Sequence, residues 1–401
     1  MSSTVFMNPA DLMAPSAAQR IQMRSLWIGL FFVVLSLVGA LVSPHEQFLH
    51  AYLLAFVGWL GLSLGSMAFL MLWYLTGGRW GITARRIVEA GARTLPLMAI
   101  LFIPLAGGAR WLYNWADPNQ VAHSRNLQHA KLEYLNVPGY VLRGVLYFVI
   151  WLGLVYLLSK WSAEQDRAPV RDLGHRFSAL SSAGVLFYAF TMTFAAVDWV
   201  MSLDASWIST VYGLIFLTGQ VLLAICFLVI VETMLAKYQP FSEVLTANNL
   251  QDHGNLMLTF IMLWAYMSFS QLLIIWSGNL PEEIRWYLPR WHNGWQFVGL
   301  CLAGLHFAVP FALLLSAPRK RKARRLVKVA IWIFVMRWVD LFWFIEPNEH
   351  PAFFVHWLDV VIPVAIGGLW LAYFFYNLRS RPLLVLYDPR TQAALEPAHE
   401  S

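Results

Sequence analysis

The sequence predicts an all-α integral membrane protein with ten transmembrane helices. Charged residues make up only 12% of its 401 positions, against 59% hydrophobic, and the mean hydropathy is +0.57. A soluble domain carries about 25% charged residues. The apolar residues fall into ten runs of about 20, the length that crosses a bilayer at a helical rise of 1.5 Å per residue. The short alternating segments of a β-barrel are absent.

The expected spans are 26–42, 51–75, 87–105, 140–158, 177–203, 208–235, 255–276, 295–316, 326–345 and 353–376. The first follows Arg20 and Arg24, as a signal peptide would. Its length and the lack of a small-x-small cleavage pattern read instead as a retained helix. Residues 1–25 and 379–401 are expected to be tails, with one membrane domain over 26–378. No soluble domain, low-complexity tract or internal repeat stands out.

Loop charge sets the orientation. One set of loops holds Arg20, Arg24, Arg79, Arg85, Arg86, Lys160, Arg167, Arg171, Arg176, Lys237, the basic run over 319–328, Arg379, Arg381 and Arg390. The opposite loops hold only Arg110, Arg125, Lys131, Arg143, Arg285 and Arg290. The positive-inside rule then places both termini in the cytoplasm, as an even number of spans requires. The net charge of +6 therefore implies a lipid partner and not nucleic acid. The run at 319–328 reads as an anchor to anionic headgroups. Two outer loops are longer than a turn. The loop over 107–138 carries Trp111, Tyr113, Trp115, His123 and His129 and is expected to form a short interfacial helix, with docking of a partner as a second use. The loop over 279–293 carries Trp286, Tyr287 and Trp291, an aromatic belt pattern.

Cys226 and Cys301 form no CxxC or CxxCH, so no iron–sulfur or c-haem site is expected in this chain. His306 and His356 lie at unmatched depths, which argues against a b-haem; His306 reads as a hydrogen-bonded core histidine. No metal site is expected.

The chemistry is expected where charge lies inside apolar runs, because an intramembrane ionisable residue is costly. Arg337 and Asp340 are three apart on the ninth span and can pair on one face. Asp198, His356 and Asp359 join them in the outer half. Glu89 and Arg93, four apart on the third span, are spaced for a second pair, and Glu232 and His253 lie near the inner side. Inner and outer groups of this kind suit two proton half-channels, the carboxylates and imidazoles carrying protons and the arginines biasing them. Polar stripes at helical spacing, Ser181–Tyr188–Thr191–Asp198 and Asn255–Thr259–Tyr266–Ser270, suggest helices facing a polar interior, although such residues also allow close helix packing.

Three stretches carry a family resemblance: residues 195–204 (AAVDWVMSLD) with Trp207, Ser209, Tyr212, Gly213 and Gln220; residues 277–286 (SGNLPEEIRW); and residues 335–347 (VMRWVDLFWFIEP). They resemble the smaller polytopic subunit of bacterial alternative complex III, the quinol:cytochrome c oxidoreductase "quinone-binding subunit 2". That subunit is grouped with NrfD/polysulfide-reductase-like membrane proteins. The resemblance implies two four-helix bundles, from helices two to five and six to nine, with helices one and ten outside. It also implies the bacterial cytoplasmic membrane. The partners it implies are a larger NrfD-like subunit, an iron–sulfur subunit and c-type cytochromes. Haem c and iron–sulfur clusters would sit in those partners, leaving quinone as the one candidate ligand here. Asp198, Arg337 and Asp340 fall within the matching motifs. The expected role is a structural, proton-conducting subunit and not a catalyst by itself. Quinone binding is the alternative, and a stand-alone secondary transporter the third; interrupted helices with matching repeats, expected of a transporter, are not apparent.

Overall fold

A computed structural model describes residues 13–123, 133–167 and 173–385. Arg125, His129, Lys131, Arg171 and Arg390, all weighed above, lie outside the described residues. Among those residues the fold is all-helical, with no strand. The principal helices are α1 (Ser16–Val42), α2 (His45–Thr76), α3 (Trp80–Ala92), α4 (Leu95–Leu101), α5 (Ile103–Leu112), α6 (Val137–Gln165), α7 (Gly174–Trp199), α8 (Tyr212–Leu235) and α9 (Ala247–Gly278). They continue with α10 (Trp295–Cys301), a π turn over Leu302–Ala308, α11 (Val309–Leu314), α12 (Ala323–Ile345) and α13 (Leu358–Arg379).

Among the described residues, eight helices are long and apolar enough to cross a membrane, counting Trp295–Leu314 as one. The third expected span is not one straight helix. It forms from α3 and α4, then bends by 51° into α5. Pro96 and Pro104 explain the breaks. Each sits in the first turn of its helix, where a missing N–H costs nothing, and each would clash with the i−4 carbonyl of a continuous one. The helix also begins earlier than expected, at Trp80, so Arg85 and Arg86 are buried helix residues and not loop charges. Pro310 likewise follows the π turn. A proline cannot accept an α-helical neighbour at i−4, and widening the turn at His306 relieves the clash. The 23-residue α12 is as long as the spans but carries Arg337 and Asp340.

α2 and α8 form the centre and are buried almost throughout. α2 packs on α3, α7, α8 and α13, while α8 packs on α7, α9 and α12. α1 lies chiefly along α13. A Cβ on Gly368 would meet the Gly29 Cα at 2.4 Å, so only glycine lets these backbones touch. The outward faces of α6, α9 and α10 expose Leu142, Tyr266, Phe269, Phe297 and Leu300, an apolar exterior expected of a lipid-facing surface. Residues 381–385, expected at the start of a tail, pack inward: Leu383 and Leu384 are each 1% exposed.

Candidate functional site

The residues expected in the outer half separate into three groups. Among the described residues no hydrogen bond or ion pair joins Asp198, the Arg337–Asp340 pair and Asp359 to one another.

Asp198, near the end of α7, is fully buried. Arg143 on α6 grips it with both ends of the guanidinium, Nε to Oδ2 and Nη2 to Oδ1, each at 2.9 Å. The Tyr147 hydroxyl donates to Oδ2 at 2.8 Å. Arg143 also lies over the Tyr134 ring, 3.9 Å from its centroid. A bidentate pair with an added hydroxyl donor fixes an ionised carboxylate. Sequence reading had placed Arg143 among the outer-loop charges; its spacing one turn before Tyr147 was the available signal. The stripe on α7 does face inward, with Trp151 donating to Thr191 and Tyr188 to Gln220, both at 2.8 Å. The α9 stripe does not. Asn255, Thr259 and Tyr266 are exposed, and the buried face is His253, Met257, Ile261, Trp264 and Gln271. Thr259 satisfies its hydroxyl on its own helix, at Asn255 O, and needs no polar neighbour.

Arg337 and Asp340 pair directly on α12 and are 3% and 1% exposed. The guanidinium lies against α8 where Gly219 makes room: a Cβ there would meet Arg337 Nη2 at 2.1 Å. On its other side Asp340 lines a cavity of about 730 Å3 between α9, α10, the π turn and α12. Most of the lining is apolar, and Tyr266, Phe269 and Leu300 carry it out to the exposed helix face. Its polar wall holds Gln271, Tyr287, Arg290 and Asp340. The buried Trp343 Nε1 and Ser268 Oγ have no partner among the described residues.

Arg290 separates this cavity from an outer cleft of about 580 Å3 lined by Asp204, Arg285 and Asn348. It is 1% exposed and bonds only backbone carbonyls, of Trp286, Trp343 and Phe344. Its cation lies 3.6 Å from the Trp286 ring centroid. Burial pulls it down to about 9, still charged at neutral pH. Trp286 in turn stacks on Trp207 at 4.7 Å, uniting two of the stretches singled out in the sequence. His306, in the π turn, is not the hydrogen-bonded residue expected. It is buried edge-on against Trp264 at 4.1 Å, and neither ring nitrogen has a partner among the described residues. The π turn aims it at an indole instead of a polar group.

Asp359 opens α13, where Oδ2 accepts the His356 backbone N–H at 2.7 Å. Gln47 on α2 reaches Asp359 Oδ1 and contacts His350 Nε2. The His356 ring stays at the surface beside Phe354 and Trp357.

Glu89 does not pair with Arg93. Arg93 caps α3 and keeps the helical backbone bond to Glu89 O at 3.0 Å, but its side chain donates to Ser380 at 3.1 Å. Glu89 instead accepts from Arg86 and Ser162, each at 2.9 Å, and from Arg381. Arg86 also pairs with Asp166. Glu232 and His253 do meet: Nδ1 and Oε2 are 2.9 Å apart, both groups fully buried, with His253 Nε2 2.9 Å from Trp80 O.

No protein-family model matches the chain, and no curated protein matches its sequence.

Proposed function

We propose that this chain is a membrane subunit of a respiratory quinol:cytochrome c oxidoreductase, structural and proton-conducting, related to the smaller subunit of alternative complex III. The observation that carries this reading is the Arg337–Asp340 pair, buried within α12 with Asp340 forming part of a cavity wall. In this reading Arg337 is the fixed cation beside Asp340, and intramembrane carboxylates carry the protons. In this reading α12 and the bent α3–α5 segment also span, which gives ten spans with both termini cytoplasmic. The packing of α2 with α3 and α7, and of α8 with α9 and α12, supports two bundles flanked by α1 and α13.

The second reading, quinone binding by this chain, is favoured by the cavity itself. It is long, apolar and open toward the lipid-facing surface, and its unpartnered Trp343 and Ser268 donors suit a carbonyl head group. Bound there, a quinone would supply redox chemistry that the chain's own side chains lack. A stand-alone transporter finds no particular support.

Purification separates the classes. A subunit co-purifies with c-haem and iron–sulfur chains; a transporter does not. Within the complex, Asp340→Asn should lower proton release coupled to quinol oxidation while assembly is retained. Normal coupling would remove Asp340 from the path, and failed assembly would make the pair structural. Loss of quinol turnover together with loss of bound quinone would favour the second reading.

A further inference from the structure

Beside Asp359, where the outer ends of α2, α12 and α13 converge, lies an acid that the reading above does not use. Glu346 follows the last residue of α12 and is fully buried. Neither carboxyl oxygen has a hydrogen-bond partner among the described residues. No ion pair reaches it: Arg290, on the loop before α10, makes its bonds to carbonyls. Its charged neighbours are Asp359 of α13 and Glu349 of the following turn. From α2, Gln47 joins Asp359 to His350, and His50 faces Glu349 at 3.8 Å while contacting Glu46 O at 3.0 Å. His356 lies on the α13 side, its backbone N–H committed to Asp359.

An ionised carboxylate buried without a donor is among the costliest arrangements in a protein, and the group escapes the cost by keeping its proton. Asp359 is also buried but differs in its donors, with a backbone N–H and a side-chain amide directed at its oxygens. Two carboxyl groups in unlike surroundings divide their protonation states between them.

We propose that Glu346 is a proton-binding site at the outer face, held as the neutral acid at neutral pH beside an ionised Asp359, and able to release one proton to the outer aqueous side. The Glu346 O–H breaks and an O–H forms on an accepting water of the outer aqueous phase; the charge left on the Glu346 carboxylate is opposed by Asp359 and Glu349. Burial first, then those two negative charges, push Glu346 up to about 9. The site concerns occupancy by a proton and stands whether or not the chain conducts protons through Asp340.

The test is an infrared pH titration of the full chain in lipid nanodiscs, following the carbonyl stretch of protonated carboxyl groups. Wild-type protein should show a protonated carboxyl at neutral pH that titrates near 9. Glu346→Gln, which keeps the shape and removes the acid, should abolish it. Asp359→Asn leaves Glu346 in place and removes a negative neighbour, so the midpoint should fall. A signal that survives Glu346→Gln, or no such signal in the wild type, overturns the assignment. A midpoint unmoved by Asp359→Asn overturns the link between the two carboxyl groups.

Discussion

Asp198 and Glu346 are both fully buried acids, and their surroundings give them opposite behaviour. Asp198 has a bidentate arginine and a tyrosine hydroxyl; Glu346 has neither. Removing Arg143 as Arg143→Met strands the Asp198 charge and should cost about 3–5 kcal/mol, the usual penalty for breaking a buried pair from one side. Asp198→Asn in that background should recover most of it, because the stranded charge is gone. Thermal unfolding of the three proteins in detergent measures both effects, and an Arg143→Met variant as stable as wild type would refute the pairing's importance. Glu346 acts through pH in the reverse sense. Its folded-state proton affinity is raised, from 4.5 to about 9, so below pH 4.5 both states are protonated and no penalty applies. As pH rises toward 9 the unfolded chain gives up the proton while the folded chain keeps it, and stability falls. Glu346→Gln should flatten the stability profile across that window. The spacing of the sequence singled out Asp198 as an intramembrane acid. It did not show the partner, because Arg143 and Asp198 are 55 positions apart and only helix packing brings them together.

At the scale of elements, local spacing predicted what local geometry controls. Arg337 and Asp340 pair because three residues on an uninterrupted helix share a face. Glu89 and Arg93 fail to pair although the helical bond between them is kept, because Arg86, Ser162 and Arg381 already occupy the Glu89 carboxylate. Pro96 was in view, yet the apolar run through it reads as continuous, since hydropathy does not register a bend. The α8–α12 contact holds a comparable lesson. Gly219 reads as a small residue in an apolar run, but its missing side chain is the space that Arg337 occupies. Gly219→Ala should therefore cost about 1–3 kcal/mol, the range for overpacking, as the guanidinium is forced off Asp340. In an Arg337→Met background, where the longer fork is absent, the same change should cost much less. A double-mutant cycle on thermal stability isolates this coupling; additive effects would mean that the glycine serves the helix backbones and not the ion pair.

For the whole molecule, the composition announced an apolar helical protein, and the eight strongly apolar helices follow from it. Topology is less legible, because it turns on the two segments that composition disguises: the bent α3–α5 pair and the charged α12. Their count decides parity. If both cross, ten spans leave the two ends of the chain on one side; if only one crosses, nine spans put them on opposite sides. α12 can be tested alone. Lys322 precedes it and Ala352 follows it, and both are exposed. In a Cys301→Ser background the remaining native thiol, Cys226, is buried and silent to reagents. Lys322→Cys and Ala352→Cys should then react with a membrane-impermeant maleimide from opposite faces of sealed vesicles, with Lys322→Cys protected in right-side-out vesicles and labelled in inverted ones. Gln19→Cys should follow Lys322→Cys, since the positive-inside pattern puts both on the cytoplasmic side. Labelling of Lys322→Cys and Ala352→Cys from the same face would show that α12 does not cross. The buried Arg337–Asp340 pair would then lie outside the bilayer, and the case for a proton route through it would fail with the span.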